Sequence, residues 1–224
     1  MRTLRTWMAV PLGVLALVLV PGRPGRAADV PVAGDKVKMK DATQPGVAQR
    51  KVIFVSYDTA IVIPSEGGSA DPSLTGGALE IHNGAGSGES VTIPLPAENW
   101  LRVPRSVEKP LRGWKYKEVV KDLPTSNYKL KVVFKQRLSG PLLRALAKDS
   151  RGNVVGYTLD EPTQGAVAIE VVTGDLRHCA LFGGLVRSDE SDDLGGDVFR
   201  GVFTASDADA PAGCIASPSG AFVR

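Results

Sequence analysis

Histidine occurs only twice in the 224 residues, at His82 and His178, and cysteine only twice, at Cys179 and Cys214. That scarcity excludes much chemistry. There is no H-E-x-x-H, and two histidines are too few for a histidine-based zinc site of the usual kind. No serine stands in a G-x-S-x-G elbow, and a Ser-His-Asp triad would have to use one of the two histidines. Neither cysteine lies in a C-x-x-C. No Gly-Lys-Ser/Thr loop and no G-x-G-x-x-G is present. The glycines of "NGAGSGE", Gly84, Gly86 and Gly88, join two strand-like runs and read as a hairpin turn rather than a phosphate cradle. Aromatic residues are 6% of the chain, and lysine stops at Lys148. After Val20 no apolar run is long enough to span a bilayer, which needs roughly 20 residues.

Residues Met1–Met8 carry Arg2 and Arg5 and no acid, the apolar run "MAVPLGVLALVLV" follows, and Gly25 and Ala27 are small residues ahead of Ala28. A basic start, a short apolar core and a small-residue exit read as a secretory signal peptide over 1–27, cleaved near Ala27. With no cysteine before Cys179, a lipid anchor at that site is not expected, nor is an integral membrane span after cleavage. The leader holds four arginines and no acid, so the net charge of +3 becomes 3 − 4 = −1 in the mature chain. The basic balance is therefore no argument for a nucleic-acid partner. What remains is uneven. Residues 28–150 hold 18 basic and 13 acidic residues, a net of +5, and residues 151–224 hold 5 and 11, a net of −6. In an exported chain an even cysteine count suggests a disulfide, and two cysteines allow one pairing, Cys179–Cys214.

Period-two alternation recurs, as half-buried strands require. "KVKMK" sets Val37 and Met39 against lysines, "GALEIHN" sets Leu79 and Ile81 against Glu80 and His82, and "GWKYKE" sets Trp114 and Tyr116 against Lys115 and Lys117. "RKVIFVSYD", "ESVTIPL", "NYKLKVVFKQ", "GAVAIEVVTG", "LRHCALFGG" and "DVFRGVF" continue the series. The run "GPLLRALAKDS", 140–150, fits a helix or a strand, and "PAENWLRV" has room for one helical turn. These patterns predict an all-β antiparallel sandwich over 35–215, jelly-roll-like or immunoglobulin-like, with at most one or two short helices. Residues 28–34 and 216–224 read as tails. The outward lysines of "KVKMK" and "NYKLKVVFK" suit strands near a sheet edge, where charge deters aggregation.

Four features could carry function. Asp160 and Glu161 in "YTLDEPTQGAVAIEVV" form an acid pair, but sequence neighbours in extended chain point to opposite faces, and Pro162 biases Glu161 toward extended geometry. A turn launching a strand with Val167, Ile169 and Val171 inward is the simpler reading. A hydrolase, perhaps carbohydrate-active, would need Asp160 or Glu161 to work with a distant carboxylate. The acidic stretch Asp189–Asp197 could hold calcium, although its spacing matches no calcium loop. Residues Arg102–Lys148 hold 13 basic residues interleaved with Trp100, Trp114, Tyr116 and Tyr128. This could bind anionic polysaccharide or lipid headgroups, with Trp100 as an exposed platform. The alternation itself turns Trp114, Tyr116 and Tyr128 inward, leaving a solvated lysine face. His82, on the polar phase, is expected at the surface.

The segments "GSGESVTIPLPAENW", "GWKYKE", "YTLDEPTQGAVAIEV" and "RHCALFGG", with "KVKMKD" and a terminal "APAGC", resemble an uncharacterised family of exported β-rich domains from environmental bacteria. The resemblance implies export and a structural cysteine pair, and it brings no catalytic residue, metal or cofactor. The expectation is thus an exported, non-catalytic binding or structural module, with an envelope or extracellular glycan as partner and the hydrolase as alternative.

Overall fold

A computed structural model describes residues 27–44, 47–84, 89–122, 126–151, 154–193 and 199–214. Residues 1–26 of the expected leader and residues 216–224 lie outside them. The chain is all-β. Its strands are β1 (Ala28–Pro31), β2 (Gly34–Gln44), β3 (Val47–Ser56), β4 (Gly77–Asn83), β5 (Ser90–Leu95), β6 (Trp100–Val103), β7 (Gly113–Asp122), β8 (Ser126–Arg137), β9 (Gly140–Asp149), β10 (Val167–Thr173), β11 (Leu176–Phe182), β12 (Leu185–Asp193) and β13 (Phe199–Ala208). The described helical pieces are one turn at Pro72–Thr75, capped by the Asp71 side chain, and a 3-10 turn at Ala97–Asn99. Among the described residues no helix is long and apolar enough to cross a membrane.

Two sheets pack face to face. One has five strands in the order β1-β11-β10-β4-β5, the other eight in the order β12-β13-β2-β3-β9-β8-β7-β6. Alternation decides the inner face. Val37 and Met39, Val52 and Phe54, Leu143, Ala145 and Ala147, Leu130, Val132 and Phe134, and Trp114 and Tyr116 enter the core from the large sheet. Leu79, Ile81, Ile93, Val167, Ile169, Val171, Ala180 and Phe182 meet them from the small one. Phe54 lies edge-on to Phe182 with ring centres 6.0 Å apart, joining the sheets at the centre. At Gly113, where φ is +145°, an added Cβ would lie 1.9 Å from the Phe134 carbonyl oxygen, so the start of β7 needs glycine.

Several expectations change. Residues 28–34 are not a loose tail. β1 pairs in parallel with β11, Ala28 N–H donates to the Asp175 carbonyl at 2.6 Å, and Val32 is fully buried. The 140–150 run is strand β9, because β3 and β8 both offer it a ladder. The acidic stretch offered for calcium begins inside a strand, since Leu185–Asp193 forms β12 against β13. β2 and β8 are interior strands, so their lysines do not guard an edge. Cys179 and Cys214 form the expected disulfide, with Cα atoms 5.5 Å apart.

Candidate functional site

The segment "TLDEP" crosses from β9 to β10 without pairing as a strand, which is the expected turn. Its two acids do converge, contrary to the extended-chain argument, because the chain bends there. The carboxylate oxygens of Asp160, Glu161 and Glu89 lie within 4.8 Å of one another, with Asp160 exposed and the other two half-buried. Glu89, far from the pair along the chain, is a carboxylate that the sequence did not place beside them. Much of this acid set is engaged in bonds to the chain itself. Glu89 Oε1 accepts from the Thr158 N–H at 2.7 Å and the Thr158 hydroxyl at 2.9 Å. Asp160 accepts from the same hydroxyl at 2.8 Å, and Glu161 accepts from the Gln164 amide. Burial raises the Glu89 pKa above the usual carboxylate range, the Thr158 bonds oppose that, and the Glu161 and Asp160 charges reinforce it.

Asp189 is half-buried and accepts from the N–H groups of Gln164 at 2.7 Å and Gly165 at 2.8 Å. It holds the start of β10 against β12, and the calcium expectation there loses a ligand to this role. The rest of that stretch, from residue 194 to Asp197, is outside the described residues.

Trp100 is not an exposed platform. It is 4% exposed, its ring donates to the Leu95 carbonyl at 3.2 Å, and it packs edge-on to Tyr116 and stacked on Phe134. His82 is not at the surface either, with 2% exposure. β10 is buried on both sides along its whole length, and β4 beside it shares that cover. His178 faces the core. Its Nε2 accepts from the Val62 N–H at 3.1 Å, its ring tilts against Phe134, and burial pulls its pKa down to about 4. It is a neutral core histidine.

The feature that assembles from distant segments is the outer face of the large sheet. Register aligns Lys40 of β2 with Lys51 of β3, Lys51 with Lys148 of β9, and Lys148 with Lys129 of β8. This is an unbroken row of lysines across four strands, spaced by the roughly 4.8 Å of neighbouring strands. On one side of it follow two further rows, Lys38, Lys131 and Lys117 with Ile53 and Leu146, then Lys36, Arg144 and Lys115 with Val55 and Val133. No outward position of β2, β3, β9, β8 or β7 among the described residues is acidic. None of these lysines makes an ion pair there. Partial burial, then repulsion from Lys115, Arg144, Lys129 and Lys117, lowers the Lys131 pKa. A depression lined by Lys40, Asp41, Ala42, Gln49, Arg200 and Val202 adjoins the row, and beyond it the face turns acidic at Glu190.

Like charges directly opposite on paired strands are destabilising, where favourable cross-strand pairs contribute roughly 0.2–1 kcal/mol each. The sheet carries such pairs at Lys40–Lys51, Lys51–Lys148, Lys148–Lys129 and Lys117–Lys131. Interior strands have no edge to protect, so the lysines are not explained by folding. No family model, curated protein or solved structure matches the chain.

Proposed function

We propose that the protein is an exported, non-catalytic binding module whose lysine face holds an anionic glycan of the envelope or the extracellular medium. The carrying observation is the acid-free face of five adjacent strands with its unbroken Lys40–Lys51–Lys148–Lys129 row. A row one strand-spacing per charge suits a linear polyanion laid across the strands. Trp100, Trp114 and Tyr116 are all buried, and the exposed Tyr57 ring is covered by the Arg137 guanidinium 4.4 Å from its centre, so these rings are not open to stack on a neutral sugar. Recognition is therefore by charge, through flexible lysine heads that tolerate varied anion geometry. The signal-like N-terminus and the disulfide support an oxidising compartment outside the cytoplasm. The hydrolase alternative gains Glu89 as a third carboxylate, but the hydrogen bonds that engage Glu89, Asp160 and Glu161 favour a local structural role.

The test is binding of the purified protein to immobilised polygalacturonate, with neutral dextran and anionic phospholipid vesicles as comparators. The expected result is retention on polygalacturonate and none on dextran, with affinity falling at least about tenfold between about 50 mM and about 300 mM NaCl, as screening requires. Retention on vesicles alone, or no retention on any polyanion, overturns the reading.

A further inference from the structure

The lysine row has two unlike ends. Past Lys129 the next outward position is Val119 of β7, which is exposed. β6 pairs β7 only over Gly113–Tyr116, so among the described strands none carries the row further, and this end opens at the rim of the sheet. Past Lys40 the row meets Val202 of β13 and then the exposed Glu190 of β12. Asp192, two residues along β12, stands in register with Arg200. Both β12 positions that bound this end are acidic.

The depression sits at this acidic end. Its volume is about 330 Å³, at the small end of the roughly 300–1,000 Å³ of ligand pockets. Register explains why the face dips there. Ala42 of β2 stands between Arg200 of β13 and Gln49 of β3, two residues from Lys40, so one methyl group is ringed by three long polar side chains. Val202 and Val47 add apolar lining. Asp41 lines it as well, but its carboxylate is 3% exposed, lies 3.3 Å from Arg50 Nε and accepts from the Thr43 hydroxyl at 3.2 Å. The groups that reach into the depression from its walls are therefore two cations and a carboxamide.

We propose that the row binds the ends of acidic glycan chains, not their middles, with the terminal uronate residue seated in this depression. The inference rests on the reading of the lysine face as a glycan site. The planar fork of Arg200 receives the terminal carboxylate, as guanidinium suits carboxylate geometry. Gln49 offers an amide to the sugar hydroxyls, and Ala42 with Val202 lies under the C–H side of the ring. The next four carboxylates meet Lys40, Lys51, Lys148 and Lys129, and the chain leaves over Val119 at the open rim. A chain that ran on past the depression would bring its carboxylates beside Glu190. Like charges placed so exclude a wrong partner, here the interior of a polyanion.

The experiment titrates the purified mature protein at low salt, by calorimetry, with a ladder of defined oligogalacturonates and with long polygalacturonate of known chain length. Affinity should rise about two- to fivefold with each added residue, as exposed ion pairs allow. The rise should stop at about five residues, four on the row and one in the seat. Every long chain should bind one protein, whatever its length. Arg200→Gln should move the plateau back to the four residues of the row. A number of bound proteins that grows with chain length in the wild type overturns end recognition and leaves the glycan reading standing. So does a plateau that Arg200→Gln leaves in place. Absence of binding at every length overturns both readings. If the variant fails to fold, the wild-type stoichiometry decides alone.

Discussion

A single core histidine sets part of the acid limit of this fold. His178 accepts one hydrogen bond and is otherwise packed against Phe134, so the fold favours its neutral form and its pKa drops to about 4 from an ordinary 6.5. Its contribution is full above pH 6.5 and is lost as pH falls from 6.5 through 4, because the unfolded chain takes up the proton first. The difference corresponds to about 3 kcal/mol at full extent. Urea unfolding at pH 7.5 and pH 4.5 should show this loss in the wild type and a smaller one in His178→Gln. Equal losses would remove His178 from the account. The other histidine shows where residue-level reading stops. Alternation puts His82 on the polar phase of "GALEIHN", and it does occupy that phase. Its burial follows from the cover over β4 and β10, which no local pattern encodes. Trp100 misleads in the opposite way, since a tryptophan among basic residues resembles a ligand platform until its neighbours Tyr116 and Phe134 are known.

At the scale of elements, strand identity was largely legible and strand neighbourhood was not. "KVKMK", "GWKYKE" and "NYKLKVVFKQ" each announce a strand with apolar side chains inward, and each is one. "GPLLRALAKD" fits both periods, with Leu143, Ala145 and Ala147 as a strand face and Leu142, Leu143 and Leu146 as a helix stripe. Ladders on both sides decide for the strand, and those are long-range facts. The position of β2 and β8 within the sheet is equally hidden, and it changes the meaning of their lysines. The disulfide was legible from cysteine count, and its energetic role is a property of the elements it joins. It closes a sequence separation of 35 between β11 and the segment after β13. Chain entropy alone assigns it about 3–4 kcal/mol. Cys179→Ser with Cys214→Ser should lower Tm by about 10 °C in non-reducing buffer, and reduction of the wild type should reproduce the drop. An unchanged Tm in both would contradict the assignment.

For the whole molecule, the uneven charge along the chain becomes a spatial separation. Strands from residues 34–56 and 113–149 interleave as β2-β3-β9-β8-β7 and pool their cations on one face. The acids of the later chain gather elsewhere, with Asp160, Glu161 and Asp189 at the β9–β10 crossing and Glu190 at the β12 edge of the sheet. Neither segment alone shows a lysine row; the row exists only because β3 lies between β2 and β9. A face of unpaired, directly opposed lysines costs stability, and sequences depart from good local pairing mainly where function requires it. Stability and binding should therefore move in opposite directions at this face.

That opposition is measurable in one protein, Lys51→Gln with Lys148→Gln, which removes the two central charges of the row and all three of its opposed pairs. Binding to polygalacturonate at low salt and Tm are read on the same preparation. The account predicts affinity reduced by about tenfold or more together with a Tm raised by about 2–6 °C. Unchanged affinity with a raised Tm would show a face that costs stability without binding this polyanion, and would contradict the proposed function.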